Sequence, residues 1–207
     1  TYKLLGGSIG FYGSTLNTRQ YATKGYLEKL IAQVFTGRER FEPGNPQEGY
    51  SPSPQERQSW LQISYMKEAY HTMGPKFTLG WMAEALYSSK NFSENYTATM
   101  MQAGEFAPTP HSKLMYNEAF RANQYVAAGI KPIYVLNDMF QFRTEFYGFT
   151  PIFPIKKNAL NKAYYGKAFS RFEYMGEVSV ICHLPFGAIS AYVNHYSSPR
   201  REWNVGL

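Results

Sequence analysis

Alternation with a period of two runs through this chain and restricts most of it to strands. From Phe77 the odd positions Phe77, Leu79, Trp81, Ala83, Ala85 and Tyr87 are apolar, while the even ones include Thr78, Gly80 and Glu84. Successive side chains of a strand point to opposite faces, so the pattern predicts a two-faced strand of about eleven residues. From Met139 the same period sets Phe140, Phe142, Thr144 and Phe146 against Gln141, Arg143, Glu145 and Tyr147. From Gly166 it sets Lys167, Arg171, Glu173, Glu177, Ser179 and His183 against Ala168, Phe172, Tyr174, Val178, Val180, Cys182 and Leu184. Weaker strands are predicted over residues 1–15, 26–38, 60–71, 123–134, 186–196 and 202–207, which makes nine strands and no convincing helix.

The connections alternate in length. Short ones fall at 71–75, 135–138 and 184–187, with 17–24 somewhat longer. Long polar ones fall at 39–59, which carries Pro43, Pro46, Pro52 and Pro54, and at 90–121, 155–165 and 197–201. Tight turns at one end and long loops at the other are the pattern of a transmembrane β-barrel, and a tilted spanning strand needs roughly 9–11 residues. Aromatics near the strand ends, Tyr70, Phe77, Tyr87, Tyr134, Phe149 and Tyr164, stand where interfacial girdles belong. The competing architecture is a soluble all-β sandwich or barrel, a binding module that would use exposed tyrosines. Nine is an odd count, and an open sheet in lipid leaves unpaired backbone groups, so the chain is expected to be part of a closed barrel.

Composition bounds the function. The 207 residues include 18 Tyr, 15 Phe and 3 Trp but only 17% charged residues, and no window approaches the roughly 18 apolar residues of a spanning helix. The net charge of +6 is scattered, with Arg200-Arg201 the densest pair, so no nucleic-acid partner is expected. A single cysteine, Cys182, excludes an internal disulfide. No basic, apolar signal segment opens at Thr1, which leaves a cytosolic protein or a piece of something longer. His71, His111, His183 and His195 have no ligand spacing, so neither a metal nor a cofactor is expected.

One motif suggests catalysis. Gly6-Gly7-Ser8-Ile9-Gly10 spells the G-x-S-x-G of a nucleophile elbow, and the order Ser8, Asp138, then His183 or His195 even suits a triad. An elbow needs a helix straight after its serine, whereas Phe11-Tyr12-Gly13 is a poor helix start. Ser8 is therefore read as a decoy, and Gly6, Gly7, Gly10 and Gly13 as a bend, bulge or close approach in a strand. Asp138 is assigned to a tight turn, where aspartate hydrogen-bonds locally.

Leu184-Pro185-Phe186-Gly187-Ala188-Ile189-Ser190, followed by Glu202-Trp203-Asn204-Val205-Gly206, resembles the last hairpin of the BamA-type surface-antigen barrels. Tyr21-Ala22-Thr23-Lys24-Gly25 is similar to that superfamily's P-T-K-G strand opener, with Ala22 in place of proline. Gln124-Tyr125-Val126-Ala127-Ala128-Gly129 and Arg143-Thr144-Glu145-Phe146-Tyr147-Gly148-Phe149 are most similar to the barrel of patatin-like phospholipase outer-membrane proteins. The resemblance covers essentially the whole chain. It implies that residues 1–207 are the C-terminal part of an outer-membrane barrel of about 16 strands, with a lipase and any periplasmic domains upstream. It implies an outer-membrane location, and as partners membrane lipid, the rest of the barrel and other outer-membrane proteins. The alternative is an insertase or secretion pore of the same superfamily. Those carry a V-R-G-F/Y signature in the long loop, which is absent here, with Arg121 in Phe120-Arg121-Ala122-Asn123 the nearest counterpart.

No catalytic residue is assigned to the segment itself; a patatin domain uses a Ser-Asp dyad of its own. With the apolar faces toward lipid, Gln141, Arg143, Glu145, Lys167, Arg171, Glu173 and Glu177 are expected to line the lumen. There, charges of mixed sign would pair across strands, either as a solvated structural lumen or, more sharply, to hold the long loop or pass a polypeptide.

Overall fold

The computed structural model describes residues 2–39, 56–198 and 203–207. In chain order they form β1 (Tyr2–Ser14), β2 (Gly25–Glu39), β3 (Glu56–Thr72), β4 (Phe77–Ser88), α1 (Tyr96–Gln102), β5 (Gly104–Glu105), β6 (Arg121–Ala122), β7 (Gln124–Val135), β8 (Phe140–Pro151), β9 (Ile155–Lys157), β10 (Ala163–Tyr165), β11 (Glu173–Leu184), β12 (Gly187–Tyr196) and β13 (Trp203–Gly206). Nine of these make one all-antiparallel sheet in the order β1-β2-β3-β4-β7-β8-β11-β12-β13. The protein is all-β, and the nine strands read from the period of two are the nine strands of the sheet. The sheet is open: among the described residues β1 and β13 each pair on one side only. The prolines at 43, 46, 52 and 54 and the pair Arg200-Arg201 lie outside the described residues.

The predicted strand beginning at Gly166 is too long. Phe169 has φ of 51°, a left-handed conformation that no strand tolerates, and its N–H donates to the Ile152 carbonyl instead of a ladder. The strand therefore starts at Glu173, and Lys167 and Arg171 precede it. The expected loop 155–165 contains the β9–β10 hairpin. The expectation of no helix also fails. Asn95 caps α1 by accepting from the Ala98 N–H at 2.8 Å, and seven residues are too few to print a helical period. The glycine-rich β1 pairs with β2 residue for residue without a bulge, and only the close approach holds: a Cβ at Gly6 would lie 2.6 Å from the Phe35 ring. In the β7–β8 turn the local acceptor is Asn137, not Asp138; its side chain takes the N–H groups of Met139 and Phe140.

Burial inverts the polarity of an ordinary sheet. On β8, Gln141, Arg143 and Glu145 are buried, Arg143 to 2% exposure, while Phe142 and Phe146 stand 41% and 53% exposed. On β11, Glu177 and Ser179 are buried and Val178 and Val180 exposed; on β12, Ser190 and Asn194 are buried and Ile189 and Val193 exposed. The polar face is concave. Tyr70 on β3 and Arg143 on β8 are three strands apart, roughly 14 Å along a flat sheet, yet their side chains meet at 3.5 Å. Of the aromatics expected at the membrane interfaces, Phe77, Tyr87, Tyr134 and Tyr164 are exposed. Tyr70 and Phe149 are corrections: both fall on the even or odd positions that point into the concavity and are buried there.

What fills the concavity is chain from both ends. The connection 89–123 packs Phe106, Ala119 and Phe120 against Leu86, Tyr125, Tyr147 and Phe149 of the sheet, and Phe106 stacks on Phe149 at 5.9 Å. The ten residues between β1 and β2 fold inward at the short-turn end, where Ala22 packs with Tyr70 and Ile133.

Candidate functional site

Glycine makes the crossings inside the concavity. Gly80 of β4 lies on one rung between Tyr70 of β3 and Lys131 of β7, and a Cβ there would sit 2.7 Å from the Tyr70 ring and 3.1 Å from Lys131 Cβ. The gap lets Lys131 Nζ pass over β4 and reach Glu68 Oε1 on β3 at 3.1 Å. Gly129 does the same for Tyr147, whose ring would be 2.1 Å from an added Cβ.

Arg143 is the hub of the charge network. Its Nε and Nη2 donate to Glu145 Oε1 at 3.0 and 2.8 Å, and its Nη1 donates to the Ala22 carbonyl at 2.9 Å. Glu145 Oε2 accepts from the Tyr147 hydroxyl at 2.6 Å. Gln141 donates to the Tyr21 carbonyl at 3.1 Å. Two neighbouring residues of β8 thus grip the β1–β2 connection, some 120 residues earlier in the chain.

The other predicted residues hold the long connection. Arg171 donates from Nη2 to the Ala119 carbonyl at 3.0 Å and from Nε to Glu173 at 2.7 Å, and Glu173 accepts from Ser197. Arg121 caps the last turn of α1, donating to the carbonyls of Met101 and Ala103 at 3.1 and 3.2 Å, and pairs with Glu105 at 2.7 Å. Lys167 is exposed and apart from this group.

Glu177 sits in a constellation that spacing alone did not reveal. Its Oε1 lies 3.0 Å from Nδ1 of His111, and Nε2 of His111 lies 3.0 Å from Ser190 Oγ. The Tyr21 hydroxyl is 2.9 Å from the same oxygen. Proton directions follow from the donor inventory. A carboxylate only accepts, so Nδ1 carries the hydrogen; in that tautomer Nε2 is an acceptor, Ser190 donates to it, and Tyr21 donates to Ser190. The Tyr192 ring stacks on the imidazole at 3.5 Å and 15°. Burial raises the Tyr21 pKa above its ordinary value, which keeps the phenol protonated. Tyr21 holds φ of 54°, a strained conformation for a bulky residue, worth roughly 1–3 kcal/mol. The signals in sequence were weak: His111 between Pro110 and Ser112, Lys131 inside an otherwise apolar strand, and Ser190 in no motif at all.

Ser8 is exposed, in the middle of edge strand β1, opposite Gln33 and followed by six further strand residues instead of a helix. Asp138 lies in the β7–β8 turn, His183 meets Gln141, and His195 stacks on Tyr174 and meets Trp203 edge-on. The arrangement of an elbow and triad is not the one around Ser8. No group of three or more metal-ligating side chains occurs among the described residues.

Comparison of the chain with protein-family models, with curated proteins and with solved structures finds no match.

Proposed function

We propose that the chain is part of a transmembrane β-barrel of the bacterial outer membrane, of BamA type, whose work is to anchor and display a patatin-like phospholipase domain. The observation that carries this is the inverted burial of the sheet. Phe142, Phe146, Val178, Val180 and Val193 face outward from strands whose alternate positions bury Arg143, Glu145, Glu177 and Asn194. Water gives no reason for that arrangement; a hydrocarbon solvent does. No helix among the described residues is long and apolar enough to cross a membrane, so the strands would have to do it.

Two further features fit. The turns at 73–76, 136–139 and 185–186 lie at one end and the long connections at the other, which orients the short end to the periplasm. The edges of β1 and β13, unpaired among the described residues, call for more strands, supplied by the rest of a barrel of about 16. Between the anchor and the insertase or secretion pore, the patatin-like wording of β7 and β8 and the missing V-R-G-F/Y favour the anchor.

Expression of the full-length protein in a Gram-negative host tests the proposal. The protein should stay with membranes through an alkaline carbonate wash, dissolve in detergent and migrate faster on gels when unheated. Release by carbonate, or mobility indifferent to heating, overturns it. The sequence upstream of Thr1 decides between a patatin domain and periplasmic repeats.

A further inference from the structure

We propose that Ser190, His111 and Tyr21 form an acyl-transfer site within the concavity, with Ser190 as nucleophile and a small carboxylic ester as substrate. The proposal is independent of the anchoring role, because it concerns the chemistry of the concave face alone.

Three separate segments converge on it. Ser190 comes from β12, His111 from the tip of the long connection, and Tyr21 from the β1–β2 connection; Glu177 on β11 orients the imidazole. The distances, 3.0 Å from Ser190 Oγ to Nε2 and 3.0 Å from Nδ1 to Glu177, are those of a nucleophile, its base and the base's positioning carboxylate. Glu177 Oε1 meets only the imidazole, and its Oε2 has no hydrogen-bond partner among the described residues, so the carboxylate is turned to His111 and to no other polar group there. A carboxylate so placed fixes the imidazole's tautomer and turns Nε2 toward Ser190.

Attack begins as Ser190 Oγ bonds to the ester carbonyl carbon and its proton passes to His111 Nε2. Tyr21, no longer held by a neutral serine lone pair, turns its O–H onto the developing oxyanion. The carbon–oxygen bond to the leaving alcohol breaks, and the alcohol departs with the proton from Nε2. Water attacks the acyl-serine by the same route, releasing the acid and restoring Ser190. Tyr21 also lines two open clefts of about 970 and 620 Å³, and its hydroxyl is 2.9 Å from Ser190 Oγ, which itself lines neither cleft. With Ser190 only 9% exposed, its surroundings suit a small ester and not a bulky one.

The test is modification of the folded full-length protein by a fluorophosphonate probe, with the adduct mapped to its peptide so that a reactive serine elsewhere in the chain is told apart. The adduct should fall on Ser190, vanish in Ser190→Ala and form about a hundredfold more slowly in His111→Asn. Glu177→Gln should shift the pH profile of labelling, which a purely structural carboxylate would not do. Far-UV circular dichroism matching that of the wild type establishes that each variant is folded, whether or not the strands span a membrane. Folded wild-type protein with no adduct at Ser190, or an adduct formed equally fast in His111→Asn, overturns the proposal, even if the variants at Ser190 fail to fold.

Discussion

Replacing Arg143 by methionine should be among the most damaging single changes in the sheet. The guanidinium is buried and makes two charge-assisted bonds to Glu145 and one to the Ala22 carbonyl. Removing it leaves the Glu145 carboxylate, 5% exposed, bonded only to the Tyr147 hydroxyl and sharing with Glu68 the neighbouring Lys131 ammonium, whose salt bridge is to Glu68. Breaking one partner out of a buried pair costs roughly 3–5 kcal/mol, or two to nearly four decades in the folding equilibrium at about 1.4 kcal/mol per decade. The double variant Arg143→Met with Glu145→Met removes the orphaned charge and should recover about 2 kcal/mol of that loss, within the usual range of coupling between neighbours. Urea titration of the protein refolded into lipid vesicles, followed by tryptophan emission from residues such as Trp60 and Trp81, supplies both numbers. If Arg143→Met costs under about 1 kcal/mol, or the double variant costs the sum of the singles, Arg143 is not the hub described here.

Three other outcomes are expected. Val178→Arg, at the middle of β11 on the exposed face, should cost about 2–4 kcal/mol in a bilayer, against no more than about 0.5 kcal/mol for an ordinary water-exposed position; vesicle refolding reads the difference. Phe106→Ala removes the ring that ties the long connection to Tyr125, Tyr147 and Phe149 and should cost about 3–5 kcal/mol of local stability. Hydrogen exchange confined to residues 90–121 would report that loss. Gly129→Ala sets a Cβ 2.7 Å from the Phe146 carbonyl oxygen, which cannot retreat, and should lower stability by about 1–3 kcal/mol, read as a lower urea midpoint with the slope unchanged.

The central strands and their faces were legible because alternation over ten or more residues survives any local exception; residues 1–15 and 202–207 were legible only as strand-like composition. Where a charged pattern ran on without strand geometry, it misled: Lys167 and Arg171 keep the phase of β11 across Phe169, whose left-handed backbone ends the strand. The helix was too short to show a period, and its signal was the single cap Asn95. Gln141, Arg143, Glu145 and Glu177 were read onto one face, but their partners were not, since Ala22 is 121 residues from Arg143 and His111 is 66 from Glu177. G-x-S-x-G drew attention to Ser8 because a motif is local, whereas Ser190 gains its neighbours only when three segments meet.

The ties from Arg143 to Ala22, from Gln141 to Tyr21 and from Tyr21 to Ser190 run across the hollow of the sheet like chords across a bow. A bow and its string share one tension. Drawing the long connection out of the hollow would release His111 from Ser190 and Glu177 and leave Tyr21 with fewer anchors, so the bend of the sheet would relax with it. Filling and curvature are then one mechanical variable, and the interior should open in a single cooperative step instead of by degrees.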